Sequence, residues 1–271
     1  MKINTRNMVL AWLCALCAAL VGATAVLQAG QRQLETRLAP YDTVFLGTSL
    51  MRYALPVQGD GRSIQAVDAN SALRIGLSRG SEADLLDLTQ AAVNARVATT
   101  FIEINPIVSR FSDRHRPCSL WNGLNHRRGA LRQAANAVLR GGDIIVGNEP
   151  AKNDRLPSVD LERLAELYPL QFDVPCHPGK WQQIPKSSGS SKIVLVAMPR
   201  SEIAKTRIGP EGMIEFDRAA IRFASQLNLP LFMPDSDVTW SEDHFLDQAH
   251  MSQLGSERFL QELGQWWDAQ K

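Results

Sequence analysis

The sequence predicts an α/β fold: a three-layer α/β/α sandwich with a mainly parallel central sheet, preceded by one N-terminal transmembrane helix. Three observations carry that prediction. Short apolar runs rich in β-branched and aromatic residues alternate with stretches of helical spacing. Glycine, asparagine or proline stands where several of those runs stop, as at Gly47, Asn105-Pro106 and Pro199. Finally, residues 8–27 carry no charge, and twenty residues at about 1.5 Å each cross a hydrocarbon layer of about 30 Å.

The N-terminal segment sets the frame. Lys2 and Arg6 precede the apolar run, and positive flanks stay on the cytoplasmic side, so the rest of the chain is expected in the periplasm, held to the inner membrane by one span. Ala23-Thr24-Ala25 is also a small-residue cleavage pattern, and cleavage there would leave a soluble periplasmic protein starting near Val26. The run exceeds the usual length of a signal core, which favours the uncleaved anchor. The expected organisation is an anchor or signal segment at 1–30 and a single catalytic domain at 31–271, with residues 31–40 a polar linker or juxtamembrane helix.

Residues 43–46, Thr-Val-Phe-Leu, read as the first buried strand, and residues 49–55 as a helix entered directly from it. A second strand is expected at 71–76 and a Gly-bearing loop at 77–81. Residues 82–97 have helical spacing, with Leu85, Leu86, Leu88, Ala92 and Val93 forming an apolar face. The third strand, 99–104, ends at Asn105-Pro106. Residues 110–128, rich in Arg, His and Trp, read as an irregular insertion or lid. Further along, the pattern predicts helices at 132–139 and near 161–167, a short strand at 143–146, strands at 192–197 and 229–233, and helices at 216–227 and 252–267.

In a parallel sheet, reacting groups collect at the carboxyl ends of the strands. Ser49, the Gly80 loop, Asn105 and the segment after Met233 all fall there. Ser49 follows the first strand in Gly47-Thr48-Ser49, and Asp247-Gln248-Ala249-His250 puts a carboxylate three residues before an imidazole. A serine hydroxyl needs a base to take its proton, and that base needs an acid to orient it. Ser49, Asp247 and His250 supply these types in one chain, which points to acyl transfer or ester cleavage. Each has a simpler reading: Ser49 as a helix cap, Asn105 as a turn former, Asp243 and Asp247 as loop surface. His244 competes with His250 but has Ser241, not an acid, three residues earlier.

These blocks resemble those of the SGNH (GDSL-like) hydrolase superfamily. Gly47-Thr48-Ser49 matches the first block in glycine and serine but has Thr48 in the middle. Gly76-Leu77-Ser78-Arg79-Gly80 is similar to the second block, which implies that the Gly80 N–H, or alternatively that of Gly76, joins an oxyanion hole. Glu103-Ile104-Asn105-Pro106 stands where the third block reads G-x-N-D, so only Asn105 survives, again as an implied oxyanion donor. Asp247 and His250 complete the last block, and Gly255 follows. The likeness runs from about residue 41 to the end.

The resemblance implies serine chemistry without a cofactor or a metal. Combined with the anchor, the layout is similar to membrane-anchored SGNH-like proteins that O-acetylate exopolysaccharides. That likeness implies a polysaccharide acceptor and a multi-pass membrane acyltransferase supplying the acyl group. A carbohydrate esterase or deacetylase is the second expectation. The eroded third block leaves a third, a catalytically inactive scaffold in a polysaccharide secretion complex.

Composition narrows the partners. With 29 Lys and Arg against 28 Asp and Glu, the chain has no basic footprint and no nucleic-acid partner is expected. In an oxidising compartment Cys118 and Cys176 are candidates for a disulfide, whereas Cys14 and Cys17 lie in the apolar run. Trp121 and Trp181 could stack on sugar rings or pack in the core. Arg110, Arg114 and Arg116 are candidates to meet an anionic polymer or to be solvated, and the roles of His115, His126 and His177 stay open.

Overall fold

The structure, a computed structural model, describes residues 5–55, 71–78, 80–110, 118, 120–140, 162, 165, 170–172, 175–234 and 239–271. The elements in chain order are α1 (Thr5–Leu38), β1 (Thr43–Thr48), α2 (Ser49–Ala54), β2 (Ala72–Leu77), α3 (Glu82–Asn94), β3 (Thr99–Glu103) and α4 (Asn105–Val108). There follow α5 (Leu120–Arg140), α6 (Pro178–Trp181), α7 (Ile184–Ser187), β4 (Lys192–Val196), α8 (Glu202–Leu227), β5 (Leu231–Phe232) and α9 (Gln253–Asp268). The five strands form one parallel sheet in the order β2-β1-β3-β4-β5.

Alternation along each strand divides the interior into two cores. Val44, Leu46, Ile102, Ile193 and Leu195 face one side and pack with α3, Trp181, the second half of α8 and the end of α1. Phe45, Phe101, Val194, Val196 and Phe232 face the other and pack with α2 and α9. Phe45 stacks on Phe101 at 4.6 Å, and Trp267 meets Phe101 edge-on at 5.3 Å, so the last helix is seated on the middle of the sheet. The expected three layers are present.

Among the described residues one helix, Met8–Leu38, is long and apolar enough to cross a membrane. It does not stop at a linker. At about 1.5 Å per residue α1 is about 51 Å long, and its last turns carry Leu34 and Leu38, four apart on one face, into the core. The Glu35 carboxylate accepts from the Asn94 amide at 2.7 Å, fastening α1 to the end of α3.

Two expectations need correction. Residues 120–128 are not irregular but form the first half of α5. The helix was hard to read because its closely buried described residues are Ala134 and Ala137, a face with little apolar signal that packs along α1. The helix expected from residue 216 begins at Glu202, because Gly209, at φ +79°, absorbs a kink before Pro210 instead of ending it. Of the two readings of Trp181, core packing holds: it is 1% exposed and its indole N–H donates to Glu82. The strand expected at 143–146 and Arg114, His115 and Arg116 lie outside the described residues, as does the Trp121 side chain; of the helix expected near 161–167, Glu162 and Ala165 are described, and both are helical.

Candidate active site

The parallel register aligns the carboxyl ends of β1, β2, β3 and β4 along one rim. At the end of β1 the chain passes straight into α2 through Thr48, whose hydroxyl accepts from the Leu50 N–H at 3.2 Å. Ser49, the first residue of α2, therefore stands at the strand–helix turn. Gly47 makes the turn feasible, since a side chain there would run into Met51 and into Glu103 Oε2.

His250 and Asp247 arrive on a loop between a 3-10 turn (Glu242–His244) and α9. The loop is closed by an isolated bridge between Phe245 and Met251. The Asp247 carboxylate organises it by accepting from the backbone N–H of Ala249 at 2.9 Å and of His250 at 2.8 Å. Ser252 caps α9, and Gly255 lies so close under the His244 carbonyl that no side chain could be added. Ser256 donates to the Ala54 carbonyl at 2.8 Å, tying α9 to the end of α2. The segments that carry the serine and the histidine are thus joined away from Ser49 Oγ and His250 Nε2.

Across this join, Ser49 Oγ lies 2.9 Å from His250 Nε2, and His250 Nδ1 lies 2.9 Å from Asp247 Oδ2. A carboxylate only accepts, so Nδ1 carries the proton and Nε2 accepts from the serine hydroxyl. Tyr53 packs a tilted ring on the imidazole at 4.5 Å. Burial alone would raise the Asp247 carboxyl, but the hydrogen bond and charge of His250, together with the two backbone N–H groups, hold it below the ordinary value. The histidine and aspartate side chains keep 26% and 15% of their surface exposed, so solvent reaches the pair.

Gly80 and Asn105 lie on the same rim but are engaged within the fold. The Gly80 N–H donates to the Leu77 carbonyl at 3.2 Å. Asn105 Oδ1 accepts from the Met198 N–H at 2.8 Å while its Nδ2 donates to the Met198 carbonyl at 3.4 Å, joining the ends of β3 and β4. Gly76 is a strand residue whose bare Cα makes room for Arg52 of α2.

Glu103 is the site residue that sequence reasoning missed. It is fully buried at the end of β3, beside Gly47. Its Oε2 accepts from the Thr48 N–H at 2.6 Å and from the Met51 N–H at 3.4 Å, and its Oε1 accepts from the Thr48 hydroxyl at 2.9 Å. Burial pushes the carboxyl up to about 7, against the opposing pull of those donors and of the charge on His250. A glutamate two residues after Phe101, on the inward face of a central strand, was the available signal.

Beside the rim, Glu82 at the start of α3 accepts from the N–H groups of Cys176 and His177 at 2.6 and 3.0 Å and from Trp181 Nε1 at 3.0 Å. Cys118 and Cys176, the candidates for a disulfide, form one. His244 is buried and its Nδ1 lies 2.8 Å from Ser241 Oγ, apart from the Ser49 pair. His126 bonds Asp87 and Asp84 on α3, and Arg110 bonds Gln171. Among the described residues no group of three or more His, Cys, Asp or Glu side chains is placed to hold a metal ion.

No protein-family model matches the chain. No curated protein matches it either. Among solved structures it is similar to the lipase/acylhydrolase from Enterococcus faecalis, at 13% identity and a TM-score of 0.42, over 84% of this chain and 96% of that one.

Proposed function

We propose that this protein is a serine-dependent acyltransferase of SGNH type, which moves an acyl group, acetyl in the simplest case, onto a hydroxyl of a cell-envelope or exported polysaccharide. The observation that carries the reading is the unbroken hydrogen-bonded run from Ser49 through His250 to Asp247. Ser49 Oγ attacks the acyl carbonyl while His250 Nε2 takes its proton and Asp247 stabilises the imidazolium. The donor's leaving oxygen or sulfur departs with that proton, leaving an ester on Ser49. A sugar hydroxyl then attacks the ester, its proton passes to His250, and the proton returns to Ser49 as the product ester leaves.

The developing oxyanion would be met by the Ser49 N–H, one of the first-turn groups without an intrahelical acceptor, by the Gly80 N–H after it turns from Leu77, and by the second hydrogen of Asn105 Nδ2. Transfer to a polymer is supported by the long apolar helix and by its continuity with the domain, which would hold the site beside a polymer emerging at the same inner membrane. On this reading the domain is periplasmic and a multi-pass membrane acyltransferase supplies the acyl group.

The partial exposure of His250 favours one second reading, a carbohydrate esterase in which water replaces the sugar hydroxyl. Incubating the full chain with an activated acetyl ester and an unacetylated glycan tests both. The acyl group is expected on the Ser49 peptide and then on the glycan, and Ser49→Ala should show neither. Release of free acetate with no acetylated glycan would select the esterase, and an unlabelled Ser49 peptide would end both readings.

A further inference from the structure

Two of the positions at which the chain departs from the resembled blocks, Thr48 and Glu103, are in direct contact. One carboxylate receives the backbone N–H of Thr48, its hydroxyl and the N–H of Met51, so it grips the residues on both sides of Ser49. We infer that Glu103 is a positioning residue for Ser49, holding the β1–α2 turn so that the serine hydroxyl meets His250. This inference rests on the proposed role of Ser49 as nucleophile.

Three features support it. Gly47 leaves open the space that the carboxylate and Met51 occupy, and a methyl group there would lie 2.5 Å from Glu103 Oε2. Three donors converge on a carboxylate that is fully buried, an expensive arrangement to maintain at the foot of a turn. The donors from β1 and α2 are all neutral, β4 presents Val196 in register with Glu103, and the group whose charge acts on the carboxyl, once it is protonated, is His250. The ionised carboxylate therefore also favours the imidazolium that forms as Ser49 loses its proton.

The proton on Glu103 changes the grip. The anion accepts from all three donors, whereas the acid must give its own hydrogen to some acceptor and releases part of the turn. Burial already raises the group towards neutral pH, so the working form is gained as pH rises through that range.

The test is the rate at which the full chain, in detergent, is labelled at Ser49 by a fluorophosphonate, measured from pH 5 to 9 with a melting curve for each variant. Glu103→Gln, which mimics the neutral form, is expected to label about 10- to 100-fold more slowly at pH 8 and to lose one ionisation from the profile. Thr48→Val should slow labelling about 5-fold, with Thr48→Ser restoring it. A Glu103→Gln protein that melts normally and labels at the parent rate with the parent profile would overturn the inference. Should Glu103→Gln not fold, equal rates for Thr48→Val, Thr48→Ser and the parent would overturn it instead. If the parent labels no faster than Ser49→Ala, the nucleophile reading fails first and the positioning role falls with it.

Discussion

At the scale of single residues, the chemistry depends on which hydrogen each nitrogen and oxygen carries. Asp247 matters through the tautomer it imposes. Asp247→Asn would hydrogen-bond the ring without demanding Nδ1–H, so ester cleavage should fall by roughly 10³-fold or more with the melting temperature little changed. The check is steady-state hydrolysis of a soluble acetyl ester. Glu103 makes a prediction about stability. Its folded value of about 7 lies above the ordinary 4.5, so the folded state binds the proton more tightly than the unfolded chain. Stability from this group is fully present below about pH 4.5 and is lost as pH rises through about 7, on the order of 3 kcal/mol in all. Thermal melts at pH 5 and pH 8 should show the parent losing more stability than Glu103→Gln; equal losses would refute the assignment. Asp247 has the opposite sign: its lowered value contributes stability above the ordinary 3.8 that disappears as pH falls further.

At the scale of elements, close backbone approaches position the site. α9 can lie under the 3-10 turn only because Gly255 has no side chain. Gly255→Ala should cost about 1–3 kcal/mol and slow labelling of Ser49, since the same displacement moves the His250 loop. Calorimetry and labelling on one sample would decide it. α5 is fastened to α3 by His126, whose value the Asp84 and Asp87 carboxylates raise to about 10 against the opposing effect of burial. That contribution is fully present below the ordinary 6.5 and is lost as pH rises through about 10. His126→Ala should therefore melt lower than the parent at pH 6 and converge with it above pH 10.

For the whole molecule, the apolar N-terminal helix and the domain are one piece. Leu34 and Leu38 belong to the same core as Val44 and Leu46, and burying a leucine contributes about 1.5–3 kcal/mol. Removing residues 1–25 should leave the melting temperature unchanged, whereas removing residues 1–38 should lower it or prevent folding. Equal stability of the two truncations would show that the end of α1 is dispensable. The Cys118–Cys176 bridge, between residues 58 apart, joins the approach to α5 to the segment that Glu82 holds. Replacing both cysteines by serine should cost about 2–4 kcal/mol, seen as a lower melting temperature in oxidising buffer.

Much of this was legible before folding because it is written in local pattern. β-Branched runs bounded by Gly and Pro marked β1, β3 and β4. The absence of charge marked the first part of α1, and the order of Ser49, Asp247 and His250 marked the candidate site. Where the reading failed, the signal was not local. α5 hides its contact face in alanines, and α8 runs on through a Gly-Pro pair that reads as a stop. Glu103 looks like the loss of a motif until Thr48 is beside it, 55 residues away along the chain.

The chain's own periodicity and residue types determined an alternating α/β order, an apolar N-terminal helix and the serine, histidine and acid that make up the candidate site. Only tertiary structure decided that α1 enters the core, that a buried carboxylate stands beneath the turn carrying Ser49, and that Gly80 and Asn105 are hydrogen-bonded within the fold. The reason is physical: strands and helices follow from neighbours in sequence, whereas the partner of a buried charge is chosen by whichever donors the packed sheet brings within about 3 Å.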